Sequence, residues 1–206
     1  DIQKKILEIS SKEEPYDIFI CYKETDENNE RTKDSVIAQD IYDKLVEKNY
    51  KVFFARITLE DKLGLNYEPY IYSALKSAKV MLVVGTTEEN FNAPWVKNEW
   101  SRYIEMMREN KNKYLIPVYS KIDAYKIPEE FAIYQAQSMD KVGAMQDLIR
   151  GIDKLMENSK KSKDIEVDIN AVDKIRQALD DARVLDNGMY EITVIKESLP
   201  VWFYVI

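Results

Sequence analysis

In the segment PWVKNEW, Trp95 and Glu99 stand four residues apart, so a helix would put an indole and a carboxylate on one face, one turn from each other. An aromatic plane beside an acid suits an electron-poor or cationic ring and a positive charge that develops during a reaction. Spacing alone fits a core Trp and a solvated Glu at least as well. The chemistry is narrowed by what is missing. There is no His, which excludes His-based triads and His-rich metal sites. A single Cys excludes an intramolecular disulfide and a Cys-based zinc site. No G-x-G-x-x-G follows the first apolar run, and there is no Gly-Lys-Ser/Thr and no G-x-S-x-G. Catalysis would therefore fall to carboxylates, Lys, Tyr, Ser or backbone groups.

Composition excludes further classes. With 45% hydrophobic and 33% charged residues the chain is foldable, not disordered throughout. The net charge of -7 argues against general nucleic-acid binding. No apolar run approaches the ~20 residues that span a bilayer. The opening DIQKKILEIS has charges where the apolar core of a signal peptide would lie, although the first residue is not Met. A lone thiol and no visible signal point to the cytoplasm.

The elements that would position these residues follow from periodicity. Apolar runs at 16–22, 51–56, 79–86 and 114–119 read as strands, with a weak fifth at 136–139. Helical spacing covers 1–12, 35–49, 67–77, 94–108 and 142–156. Residues 57–66 and TEENFNAP read as loops. Pro117 suggests an edge strand or a bulge. Alternating strands and helices imply a parallel sheet covered on both faces. Ligands then bind beyond the carboxyl ends of the strands, in the loops after Tyr22, Arg56, Gly85 and Tyr119. A phospho-acceptor receiver shares this alternation, but Asp26 and Glu27 come too late after the first strand. Residues 158–168, with Lys160, Lys161 and Lys163, read as a linker. Beyond it come a helix over 169–184 and strands at 189–195 and 199–206, the last so apolar that it must dock on something.

The blocks YDIFICYK, KVFFAR, LEDKLGLNYEPYIYSALKSAKVMLVVGT and PWVKNEW, in this order and spacing, resemble a TIR (Toll/interleukin-1 receptor) domain of a bacterial sort. The resemblance covers about 15–156. It implies an N-terminal helix at 1–14, a TIR domain at 15–157, and a linker and C-terminal α+β extension (169–206) on which the family is silent. The implied fold is an α/β, flavodoxin-like three-layer sandwich with a five-stranded parallel sheet. Residues 57–66 would be the BB loop, through which such domains contact their own copies or other TIR domains.

Many TIR domains cleave NAD at the nicotinamide–ribose bond. By resemblance, Glu99 of the W-x-x-x-E pattern is the catalytic acid and Trp95 its companion. Tyr22, Lys23, Arg56 and Tyr67 would contact the substrate, with no metal and no cofactor apart from NAD as substrate. The product would be linear or cyclic ADP-ribose, and the work bacterial defence or signalling. Cys21 stands where the family often has Ser and is assigned no reactive role. Glu68 reads as a helix-start acid, and Trp100, Tyr103, Met106 and Met107 as packing residues. Two other readings stay open: a non-catalytic interaction module, and a nucleoside N-glycosidase on a related sheet.

Overall fold

Each strong apolar run forms a strand. β1 is Ile18–Tyr22, β2 Val52–Phe54, β3 Val80–Gly85 and β4 Tyr114–Tyr119, while the weak run supplies the two-residue β5, Gln137–Ser138. The computed structural model describes residues 2–12, 14–60, 64, 66–159, 183–184 and 190–191. All neighbouring strands pair in parallel, in the order β2-β1-β3-β4-β5. This is the five-stranded parallel α/β sheet of the flavodoxin-like order. β1, β2 and β3 are buried along their whole length, which is why they read as continuous rather than alternating apolar runs.

The helices are α1 (Ile2–Lys12), α2 (Lys33–Glu47), α3 (Ala55–Thr58), α4 (Glu68–Ser77), α5 (Glu88–Phe91), α6 (Pro94–Glu109) and α7 (144–159). Their starts are chemically marked. Thr32 caps α2, its hydroxyl oxygen accepting from the Ser35 N–H at 3.2 Å, two residues earlier than the periodicity suggests. Proline stands in the first turn of α4 and of α6, where a missing N–H costs nothing. One core joins Phe54, Ile41, Leu45, Leu148 and Ile152. The other joins Phe19, Phe53, Leu75, Trp100, Tyr103 and Phe131. The chain leaves β1 for β2 and then returns past β1 to β3, so strand order reverses between β1 and β3.

Three expectations are corrected. Arg56 does not end a strand. β2 stops at Phe54, whose N–H donates to Thr58 Oγ1 at 3.0 Å, and Arg56 lies in the single turn of α3. TEENFNAP is not plain loop, because Thr87 caps the short α5 by accepting from Asn90 N–H at 3.1 Å. Finally, β4 is not an outer strand; it lies between β3 and β5. Tyr114 N–H donates to Lys79 O at 2.8 Å, toward β3. Alternation then turns Leu115, Pro117 and Tyr119 to the other side. There β5 pairs only with Val118 and Tyr119, so the donor that Pro117 lacks falls where β5 does not reach.

Two local features carry stability predictions. A Cβ on Gly85 would lie 2.5 Å from the Phe91 ring, so β3 can end against α5 only with glycine there. Gly85→Ala is expected to lower unfolding free energy by about 1–3 kcal/mol in a urea titration, as overpacking does, and Phe91→Leu should restore part of it. Lys113 is buried, and its ammonium donates to Leu75 O in the last turn of α4 and to Ala78 O at its C-cap, while lying 4.8 Å from the Tyr103 ring centroid. Burial lowers its pKa to about 8. Lys113→Met should cost about 1–3 kcal/mol, because it takes the side-chain donor from Leu75 O, while Ala78 O keeps the Tyr103 hydroxyl.

The chain divides into two compact units, Asp1–Glu157 and Asn158–Ile206. In the second, Arg183–Val184 pairs antiparallel with Tyr190–Glu191, so 183–184 is strand where the periodicity suggested helix. The rest of the expected linker, helix and last strands lies outside the described residues, apart from 158–159, which belong to α7. Among the described residues no helix is long and apolar enough to cross a membrane.

Candidate active site

The buried positions of α6 are Val96, Glu99, Trp100 and Tyr103, the i, i+3, i+4, i+7 stripe of a helix that packs by one face. Three of them are ordinary core residues. Trp100 Nε1–H donates to Phe91 O at 2.9 Å, and the Tyr103 hydroxyl donates to Ala78 O at 3.1 Å. Glu99 is therefore an acid in a core position, with 7% of its surface exposed. Burial pushes its pKa up to about 7, opposed by hydrogen bonding from Cys21 and Trp95.

Cys21 comes from the carboxyl end of β1. It is fully buried, with its thiol 3.6 Å from Val96 O. Burial, reinforced by the Glu99 charge, pushes its pKa well up, so it remains a thiol that donates and is no nucleophile. It nevertheless packs on the helix that carries Glu99 and opposes the rise of that acid's pKa, a role the sequence did not suggest. One turn before Glu99 on α6 the surface is aromatic. Trp95 is 48% and Tyr67 50% exposed, and their rings meet edge to face with centroids 6.1 Å apart. Tyr67 stands immediately before α4. Glu68 is in the first turn of that helix, its N–H donating to Asn66 Oδ1 at 3.1 Å, as a helix-start residue should.

The other expected residues form a second group. Tyr22 follows Cys21 and so faces the opposite side of the sheet. Its ring stacks on Phe54 at 5.0 Å, and the Arg56 guanidinium lies 5.3 Å from the centroid of that same Phe54 ring. Burial, with Glu24 next in importance, pushes the Tyr22 phenol far above its usual range. Glu24 Oε1 lies 3.7 Å from Arg31 Nε and 3.9 Å from Arg56 Nε. Lys23 is half-buried between the groups, and its backbone carbonyl accepts from the Thr32 hydroxyl. Thus Glu99, Trp95 and Tyr67 gather on one face, and Tyr22 and Arg56 on the other, both around the carboxyl end of β1.

Sequence reasoning missed Glu24, Arg31 and Asp34. The first two meet because the loop folds back on itself. Thr25 bridges Arg31, and Asp26 Oδ1 accepts from the N–H groups of Asn28 and Glu30 at 2.8 and 2.9 Å. Asp34 is wholly buried, accepts from Thr86 N–H at 2.8 Å and from the Thr86 hydroxyl at 2.6 Å, and so ties the start of α2 to the exit of β3. Burial raises its pKa, with the Thr86 hydrogen bonds pulling the other way. Its only sign in the sequence is an acid in a helix's first turn.

No curated protein matches the chain. Solved structures similar to it include a metazoan TIR-STING receptor from C. gigas, 18% identical, with 66% of this chain and 40% of that chain covered and a TM-score of 0.49. This chain thus spans well under two thirds of that receptor. The TIR domain of the Toll-related receptor TRR-2 from Hydra magnipapillata is 16% identical, with 67% and 98% covered and a TM-score of 0.48. The TIR domains of the activated Roq1 resistosome directly recognizing the pathogen effector XopQ are 14% identical, with 70% and 80% covered and a TM-score of 0.42. The family model described as TIR domain matches residues 18–156, from the first residue of β1 into α7. Because that match takes in more than half of the chain, with the sheet and both residue groups inside it, the protein belongs to the TIR domain family.

Proposed function

We propose that this TIR domain is an NAD glycohydrolase. The family holds NAD-cleaving members and scaffolds, and its domains commonly associate with one another. The observation that carries the catalytic reading is Glu99, an acid placed in a core stripe one helical turn from the exposed Trp95, whose ring meets that of Tyr67. In this reading the Trp95–Tyr67 pair flanks the pyridinium. The bond between ribose C1′ and the ring nitrogen breaks, and its electron pair leaves with the nitrogen, so neutral nicotinamide departs without a general acid. The ionised Glu99 stabilises the oxocarbenium-like ribose. Water adds at C1′ and loses its proton, giving ADP-ribose; attack by a group of the same molecule would give a cyclic product. Tyr22, Lys23 and Arg56 hold the rest of the dinucleotide, Lys23 as a point charge toward phosphate. Self-association through the loop 57–66 would complete the site, in the cytoplasm where NAD is available.

The test is nicotinamide release from NAD by concentrated protein, beside Glu99→Ala. Release that disappears in the variant, with the fold intact, supports this reading. Turnover retained in the variant removes Glu99 from the chemistry. No release from either protein, even when tethered into oligomers, moves the function to that of an interaction module.

A further inference from the structure

We propose that Glu24 occupies an anion site meant for the diphosphate of the substrate, so that the site is latent until that carboxylate is displaced; this rests on the reading that the crevice takes a dinucleotide. Arg31 and Arg56 face the same carboxylate, two guanidiniums against one acid. Both contacts use Oε1, at 3.7 and 3.9 Å, longer than the ~2.7–2.9 Å of a charge-assisted hydrogen bond. Glu24 Oε2 and Arg56 Nε are buried and have no hydrogen-bond partner. A structural ion pair of arginine and carboxylate is commonly bidentate and satisfied. Here one carboxylate leaves a buried donor and a buried acceptor unmet. A diphosphate carries more charge and more acceptor oxygens, and two guanidinium forks match it better.

The surroundings hold the cations and leave the acid able to move. Arg56 lies against the Phe54 ring, itself stacked between Tyr22 and Tyr42. The backbone of Arg31 is fixed by its bridge to Thr25, with its side chain 62% exposed. The backbone of Glu24 is fixed, because its carbonyl accepts from Thr32 N–H at 3.0 Å. Release therefore needs only a rotation of the Glu24 side chain, not an opening of the loop. The place also fits: Tyr22 and Arg56 both lie against the Phe54 ring, and the next residue back, Cys21, packs on the helix that carries Glu99, with its thiol 3.6 Å from Val96 O. In a dinucleotide the diphosphate is separated from the cleaved bond by a single ribose.

The probe is inorganic pyrophosphate, titrated calorimetrically into the full chain at fixed salt. Glu24→Gln should bind it about tenfold more tightly than the wild type, and adding Arg56→Ala or Arg31→Ala should abolish the gain. Equal affinity in Glu24→Gln, or a gain that survives loss of either arginine, overturns the proposal. If Glu24→Gln does not fold, arginine Nε resonances of the wild type decide. Pyrophosphate must shift those of Arg31 and Arg56, and an unchanged spectrum overturns the proposal. Binding is read without turnover. Failure here leaves NAD cleavage standing, and activity retained in Glu99→Ala leaves this anion site standing.

Discussion

Glu99→Gln is expected to release nicotinamide from NAD about 10²–10³-fold more slowly than the wild type, the loss typical when one electrostatic stabiliser of a transition state is removed. Gln keeps the size and shape of the side chain. It removes only the negative charge that the oxocarbenium-like ribose would meet. Substrate binding should change little, so the effect belongs in kcat rather than KM. The variant should also be more stable than the wild type at neutral to alkaline pH. Glu99 is buried, and burial raises its pKa from the ordinary carboxylate value of 4.5 to about 7. The folded protein thus holds this proton more tightly than the unfolded chain does. The stability linked to it is fully present below about pH 4.5 and is lost as pH rises toward 7. At ~1.4 kcal/mol per unit, the loss is of order 3 kcal/mol. Urea titrations at pH 5 and pH 8 should show the wild type weakening relative to Glu99→Gln. A variant less stable at both pH values, or one that still turns over NAD, would sink the assignment.

The second large effect is on the pH profile. If the ionised carboxylate does the work, kcat/KM for NAD should fall tenfold per unit below about pH 7, and at pH 5 to about one hundredth of its plateau. The cause is burial, so the limb should respond to the groups that oppose it. Hydrogen bonding from Cys21 lowers the Glu99 pKa. Cys21→Ala should therefore move the acid limb upward, and Cys21→Ser should restore it. The limb in kcat should lie below that in kcat/KM, because a bound pyridinium favours the charged acid. A flat profile between pH 5 and 8 would mean that Glu99 does not act as a carboxylate. These profiles need only steady-state rates of nicotinamide release across buffers of constant ionic strength.

Much of this arrangement was legible in the residues. The runs IFICY and VMLVVG read as buried strands and YLIPVY as a strand, and the helical spacings between them implied a parallel sheet with two covered faces. The family blocks added the order and the place of Glu99. The acid's burial was also encoded, since Val96, Glu99, Trp100 and Tyr103 form one stripe; read alone, the Trp95–Glu99 spacing fitted a core Trp and a solvated Glu, whereas Trp95 is exposed and Glu99 buried. The short β2 was not legible. KVFFAR has a strand composition to its end, and only Thr58 bonding back to Phe54 turns Arg56 into a helical turn. Pro117 suggested an edge strand or a bulge, but β4 lies inside the sheet, and the donor that Pro117 lacks falls where the two-residue β5, contributed by a distant segment, does not reach.

By itself, then, the sequence determined the alternation, the sheet class, the family and the acid most suited to chemistry. These depend on local periodicity and on residue types at short spacing. The tertiary structure alone decided which residues share a face. Cys21 and Tyr22 are neighbours in the chain, yet the pleat sends one to Glu99 and the other to Arg56. It also decided that Glu24 meets two arginines and that Asp34 meets Thr86, contacts that span 7 to 52 residues. The Glu24–Arg31 contact needs the loop folded back on itself, and the longer ones exist only once the sheet has brought the carboxyl ends of its strands together.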